Sequence, residues 1–567
     1  MIRAGALRPL GFAIALLVSA AAAALAQPRP PGDAAGLRSL AFEHAQRAIS
    51  GAASHALAQL DVRFAAGNDA LAAAVRTRQD LIAAWQAADR ALVQAMAAPH
   101  ALANINDLKA EVEALRAGIA ASESALTRDF PAYAELSIPR PLSLSEAQGL
   151  LDADEALVLF LSARKETFVF VLTRDRVETL SAPIPRDDLV ADIRRLRLAL
   201  DPVAPAVMRS GLRNFEDTVV ESGGDAAGGR VAFDRRKAHE LYRLLLAPAE
   251  AILAGKTRVF LIQDAPLDSL PLSVLVTSPP EGSDTNPDDL RRTGWLLRRH
   301  ALVTLPSVAS LRTVRRSGAM PPAPHPFRGY GAPALGHPGA AGASSLRTSG
   351  TAASLLRDGR VDRAAVRALA PLPQTRIELE RLATALGAPA TAISTGREAS
   401  LTTLRQDDLA QYRIIAFATH GLIAGELTGL AEPALVFTPP EQDRDGDNGL
   451  LTATEAARLR LNADWVVLSA CNTAAGDGTP GAEGLSGLAR AFFYAGARSL
   501  LVTHWPVRDD IAARLTASAF RALAARPAVG KANAFRDAAL AVLEDRSEPA
   551  FAHPALWAPF VVVGEGR

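Results

Sequence analysis

The chain has 567 residues, more than one hydrophobic core usually organises, so two or more structural units are expected. Its 61 Lys and Arg balance 60 Asp and Glu, and 49% of its residues are hydrophobic, an ordinary globular composition. A net charge of +1, with no basic patch interleaved with aromatics, argues against nucleic acid as a partner.

The N-terminus reads MIRAGALRPLGFAIALLVSAAAAALAQPRPPG. Arg3 and Arg8 precede an Ala-rich apolar run, Ala24-Leu25-Ala26 offers a small-x-small cleavage pattern, and Gln27 opens a Pro-rich segment. This is the three-part layout of a secretory signal peptide over residues 1–26, followed by a linker at 27–36. The rival reading is a retained anchor, for which the run is short and weakly apolar. The expected mature protein is exported, periplasmic or secreted, with no membrane span once the signal is removed.

Residues 37–135 are rich in Ala, Leu, Arg, Gln and Glu. RQDLIAAWQAADRALVQAMAA and NDLKAEVEALRAGIAASESAL carry apolar residues at helical spacing, which predicts an antiparallel helical hairpin or coil. No convincing 34-residue tetratricopeptide period is found there. These helices are nevertheless the candidate surface for a protein partner.

FPAYAELSIPRPLS marks a boundary, after which strands and helices alternate. EALVLFLSA and KETFVFVLT predict a hairpin, and RDDLVADIRRLRLAL and RKAHELYRLLLAPAEAIL predict amphipathic helices. TRVFLIQD, HALVTLP, FRGYGAPAL, YRIIAFATH, ADWVVLSAC, RSLLVTHW and APFVVVG follow. Most are short continuous apolar runs, the pattern of strands buried on both faces. With helices between several of them, the expected fold is α/β, a mainly parallel sheet with helices on both sides. Stretches at 221–229, 277–294, 335–362 and 439–449 read as loops.

Two of these strands end in reactive side chains: IIAFAT runs into His420-Gly421, and WVVLSA into Cys471, the single cysteine of the chain. Functional groups collect at the carboxyl ends of parallel strands, so neighbouring strands would bring imidazole and thiol to one sheet edge. An imidazole activates a thiol by favouring the thiolate and then protonates the departing amine. The amides of Gly421 and Cys471 are candidates to receive the developing oxyanion. The opposing reading is a buried structural cysteine and a loop histidine, and it stays open at this level.

The ordered set FATHG, DWVVLSACNTAAGDG, GAEGLSGLARAFFYAGARSLLVTHWPVRDD and HPALWAPFVVVG resembles the CHAT domain family. Upstream, FLIQDAPLDSLPLSVL, GYGAPAL, LPQTRIELERL and NGLLTATEAARLRLNADW extend the resemblance over residues 140–567. It implies a caspase-like fold and a cysteine endopeptidase acting on polypeptide substrates, with His420 as general base and acid, Cys471 as nucleophile, and no cofactor. In related peptidases an acid after an early strand selects a basic P1 residue, a role for which Asp264 is a candidate. A catalytically silent module that binds partners through its helical region is the alternative. Family members often carry Ser-Leu-Trp where this chain has Thr503-His504-Trp505.

Three further patterns are weighed and set aside. Gly481, Gly484 and Gly487 lie too far from the preceding strand for a dinucleotide loop. The acidic run from Asp443 imitates a calcium loop, but has Asn448 at its sixth position and Glu455 one place late. Zinc on His420, His504 and Cys471 lacks the short ligand spacing of such sites.

Overall fold

A computed structural model describes residues 33–49, five helical positions within 77–88, residues 105–129, and most of 141–567. The gaps in that last span are 202–230, 265, 318–320, 336–355, 358–359, 362–365, 368, 423–432, 442–447, 470–486 and 506. The signal segment, the glycine loop at 481–486 and Cys471 itself therefore lie outside the described residues.

The first half of the α/β region supplies β1 (Glu155–Ser162), β2 (Thr167–Thr173), β3 (Val177–Ala182), β4 (Arg258–Ile262) and β5 (Ala301–Thr304). The second supplies β6 (His325–Pro333), β7 (Leu356–Arg357), β8 (Arg360–Val361), β9 (Ile393–Gly396) and β10 (Tyr412–Ala418). It continues with β11 (Gly421–Leu422), β12 (Ala434–Val436), β13 (Leu450–Thr452), β14 (Trp465–Leu468), β15 (Ser499–Thr503) and β16 (Phe560–Gly564). Eleven strands form one sheet in the order β3-β2-β1-β4-β5-β16-β15-β14-β10-β6-β9. The predicted hairpin is β1–β2, which pairs antiparallel from Ala156↔Thr173 to Ser162↔Thr167. Among the pairings β1–β4, β4–β5, β6–β9, β6–β10, β10–β14 and β14–β15, every one is parallel.

The continuous apolar runs are strands covered on both faces: β4, β14 and β15 are buried at every position. Their side chains join one core with helices such as Pro373–Ala385, Asp509–Ala525 and Lys531–Glu544. Beneath β10 this core is aromatic. Phe417 stacks on Tyr330 with centroids 5.6 Å apart and meets Phe492 at 5.1 Å. A smaller core of Leu335, Val366, Leu369, Leu422, Ala434, Val436 and Leu450 includes residues of all three strands of the sheet β11-β12-β13.

Two segments differ from the sequence expectation. The helix Asp33–Ile49 joins the α/β body: Phe42 is fully buried 5.8 Å from Phe170, and the Gln46 amide bonds both to the Leu142 carbonyl at 2.8 Å and from the Leu142 amide at 2.9 Å. The apolar stripe of Ala41, Phe42 and Ala45 explains this docking. The expected loop at 277–294 contains the capped helix Pro287–Arg292, and buried Arg235 ties its entry through Asp284 and the Glu281 carbonyl. Farther towards the N-terminus, Ile105–Asp129 is a helix. Gly118 faces Leu81, and Arg116 lies 5.7 Å over the Trp85 ring. No described helix is long and apolar enough to cross a membrane.

Candidate active site

β10 and β14 are hydrogen-bonded neighbours, in register from Ile414↔Trp465 to Phe417↔Leu468. The contact continues past the strands, since the Ser469 amide donates to the Phe417 carbonyl at 2.9 Å. His420 follows β10 by two positions, and Cys471 comes two positions after Ser469 in the chain. The sheet therefore brings the ends of β10 and β14 to one edge, while Cys471 lies outside the described residues.

Close approach of β6 to β10 fixes that edge. A Cβ on Gly331 would meet the Ala418 carbonyl oxygen at 2.6 Å and a Leu379 methyl at 2.8 Å, so only glycine fits. The next residue, Ala332, has φ +44°, the one left-handed non-glycine among the described residues. Its amide donates to Thr375 Oγ1 at 2.9 Å, and that hydroxyl donates to the Leu372 carbonyl at 2.7 Å. Such backbone strain persists where the surroundings over-determine it, and here it sits beside the strand that delivers His420.

His420 is 3% exposed. Its Nε2 lies 2.8 Å from the Ala370 carbonyl oxygen, and its own carbonyl accepts the Val436 amide at 3.0 Å. A carbonyl only accepts, so Nε2 carries the proton and the lone pair of the neutral ring is on Nδ1. The ring is thus held in one tautomer by the segment after Val366, which the small core anchors through Leu369. Thr419 Oγ1 donates to the Val436 carbonyl at 2.6 Å and pins the preceding turn. Gly421 is buried at the start of β11 and pairs with Leu435. The arrangement holds an imidazole just past a strand end.

Asp264 is not brought together with this histidine. It follows β4, which is five strand steps from β10, about 24 Å at ~4.8 Å per step. Its carboxylate accepts the Ser162 amide at 2.5 Å and the Ser162 hydroxyl at 2.9 Å, which joins the ends of β1 and β4. Burial pushes its pKa up against the lowering effect of those two bonds. An acid so placed and so occupied is a poor partner for a P1 side chain at His420.

His504 follows β15, the other neighbour of β14, and is 4% exposed. Burial, with the Arg197 charge beside it, holds its pKa well below the ordinary histidine range. Arg197 Nη1 donates to the Ser269 carbonyl at 2.9 Å and Nη2 to the His504 carbonyl at 3.1 Å. The turn after β4 and the end of β15 therefore share one edge. Sequence reasoning missed Ala370, which acts through its backbone, and Arg197, one of four arginines on its helix. Thr375, ahead of the residues facing β6, carried no signal either. Glu455, the late residue of the calcium-like run, caps its own helix with Thr452 and pairs with Arg405 at 3.0 Å.

Tetratricopeptide repeat protein 28 of Mus musculus is 35% identical over 161 residues, covering 26% of this chain and 6% of that protein. The Homo sapiens protein of the same name is 36% identical over 115 residues, covering 20% and 4%. The chain thus spans only a small part of these relatives. Among solved structures, a Saccharomyces cerevisiae separase-securin complex aligns with a TM-score of 0.40 and 10% identity over 82% of this chain and 34% of that one. The Arg-specific cysteine proteinase gingipain R aligns with a TM-score of 0.31 and 10% identity over 59% and 70%. The CHAT domain family matches residues 235–565, while β1–β3 extend the same sheet beyond that match. With more than half of its length so matched, the chain belongs to the CHAT domain family.

Proposed function

We propose that the chain is an exported cysteine endopeptidase in which Cys471 attacks a peptide carbonyl and His420 handles the protons. The observation that carries this reading is the parallel, in-register pairing of β10 with β14, whose following residues are His420 and Cys471. The hydrogen bond from Nε2 to the Ala370 carbonyl, which holds the ring just past β10, supports it. Attack forms a carbon–sulfur bond while the amine leaves with the proton held on the imidazole. Water, deprotonated by the same ring, then hydrolyses the thioester and restores the thiol. The amides of Gly421 and Cys471 are the proposed oxyanion donors. A basic P1 preference would need an acid nearer β10 than Asp264.

Export rests on the N-terminal sequence, and a partner surface on the helix Ile105–Asp129, exposed along most of its length. The test is a thiol-reactive peptide probe applied to the purified mature protein. Cys471→Ala is expected to abolish labelling and hydrolysis with an unchanged circular dichroism spectrum. Equal labelling of that variant would overturn the proposal.

A further inference from the structure

We infer that Thr375 is a positioning residue for His420: its hydroxyl cross-links the strand end that carries the imidazole to the segment that holds it. This rests on the peptidase reading above. The imidazole depends on two separate stretches of chain. Its backbone follows β10, whose end is paired to β6 through Ala418↔Gly331. Its Nε2 bonds to the Ala370 carbonyl at 2.8 Å, on the stretch that leads into the helix Pro373–Ala385. The ring keeps its direction only while those two stretches keep their spacing.

Thr375 joins them. Its Oγ1 accepts the amide of Ala332, the residue after Gly331, at 2.9 Å and donates to the Leu372 carbonyl at 2.7 Å. A hydroxyl has one proton to give and lone pairs that accept, and here both capacities are used. Thr375 is fully buried, so solvent does not substitute for it. From Ala370 the chain reads Ala370-Pro371-Leu372-Pro373. Each proline ring fixes its own φ at about −65° and keeps the residue before it out of the helical region. Leu372, itself buried, accordingly has φ −118° and ψ 64°. This link is stiff, so a shift at Leu372 is carried to the Ala370 carbonyl instead of being absorbed.

The other end of the cross-link is the part of β6 with most reason to move. Ala332 sits at φ +44°, a conformation that side chains disfavour, and the pairing of β6 with β9 shifts register between Gly331 and Pro333. The bond from its amide to Thr375 opposes relaxation of that bulge. A purely local role does not account for the arrangement. The helix Pro373–Ala385 has no side-chain N-cap, and a hydroxyl serving only its first turn would bond to Leu372 alone. The bond from Ala332 spans 43 residues and reaches the strand paired with β10.

The experiment compares, in the full chain, Thr375→Val, which keeps the shape and removes both side-chain bonds, with Thr375→Ser, which keeps the hydroxyl. Thr516→Val is the stability control, because buried Thr516 donates at 2.7 Å to Ala512 of its own helix. On a peptide that the wild type cleaves, Thr375→Val is expected to lower kcat about 10- to 100-fold with KM within about twofold. Thr375→Ser is expected to recover kcat, and Thr516→Val to lose thermal stability with kcat unchanged. Iodoacetamide alkylation of Cys471 in Thr375→Val should move towards the pH dependence of an unassisted thiol, with a pKa of about 8.5. Adding Ala332→Gly to Thr375→Val relieves the strained backbone, so that pair carries the test where Thr375→Val does not fold, and its kcat should stay low. Wild-type kcat in folded Thr375→Val or in that pair, no recovery in Thr375→Ser, or an equal loss of kcat in Thr516→Val overturns the role. Failure of the peptidase reading shows separately, as no cleavage by the wild type. The alkylation curves then decide Thr375, and identical curves for wild type and Thr375→Val overturn it.

Discussion

His420→Ala is the most direct challenge to the proposed chemistry. The substitution removes a ring that is 3% exposed and leaves the Ala370 carbonyl without its 2.8 Å donor. Loss of a positioned general base typically costs about 100- to 10,000-fold in rate, equivalent to about 3 to 5 kcal/mol of transition-state stabilisation. The structural cost is smaller: Ala370 is exposed, so water can replace the lost donor, and a typical hydrogen bond contributes about 0.5–1.5 kcal/mol. kcat/KM on a cleaved peptide should therefore fall by about two to four decades, while the melting curve stays cooperative and shifts down by several degrees. Alkylation of Cys471 by iodoacetamide should be followed from pH 5.5 to 9. On the proposed mechanism, the wild-type imidazole should support a thiolate at neutral pH. In His420→Ala, the rate should rise only as the pH approaches the ordinary thiol pKa of about 8.5. Identical pH–rate curves for the two proteins, with both folded, would refute the assignment of His420 as the proton-handling group.

Gly331→Ala should lower stability by about 1–3 kcal/mol, because its Cβ meets the Ala418 backbone at 2.6 Å, and should also reduce activity by shifting the end of β10. Urea unfolding and kcat/KM check this, and unchanged values for both would show that β6 and β10 need no close approach. For Asp264, burial raises the folded pKa above its ordinary value of 3.8, so the folded state holds the proton more tightly. Stability from this group is present below pH 3.8 and is lost as pH rises through the folded pKa. Asp264→Asn should remove that decline, and urea unfolding across acidic pH tests the sign. A wild-type stability that rises relative to Asp264→Asn over this window would contradict it.

Much of this protein was legible as sequence. Unbroken apolar runs such as RVFLI, WVVL and SLLVT can only be strands covered on both sides, and their alternation with amphipathic helices dictated a mainly parallel sheet. The same reasoning put His420 and Cys471 at strand ends, because a residue directly after a buried strand must emerge at the sheet edge. Strand order lay beyond it. That β14 sits between β10 and β15, and that β4 lies five steps from β10, follows from hydrogen bonds between segments far apart in the chain. This is why Asp264 looked available as a pocket acid although it is tied to Ser162. The tautomer of His420 was equally invisible, since it is set by a backbone carbonyl at Ala370, and every residue has such a carbonyl. The sequence by itself determined which side chains reach the edge. The tertiary structure decided which of them are neighbours, because pairing between distant strands carries no local signature.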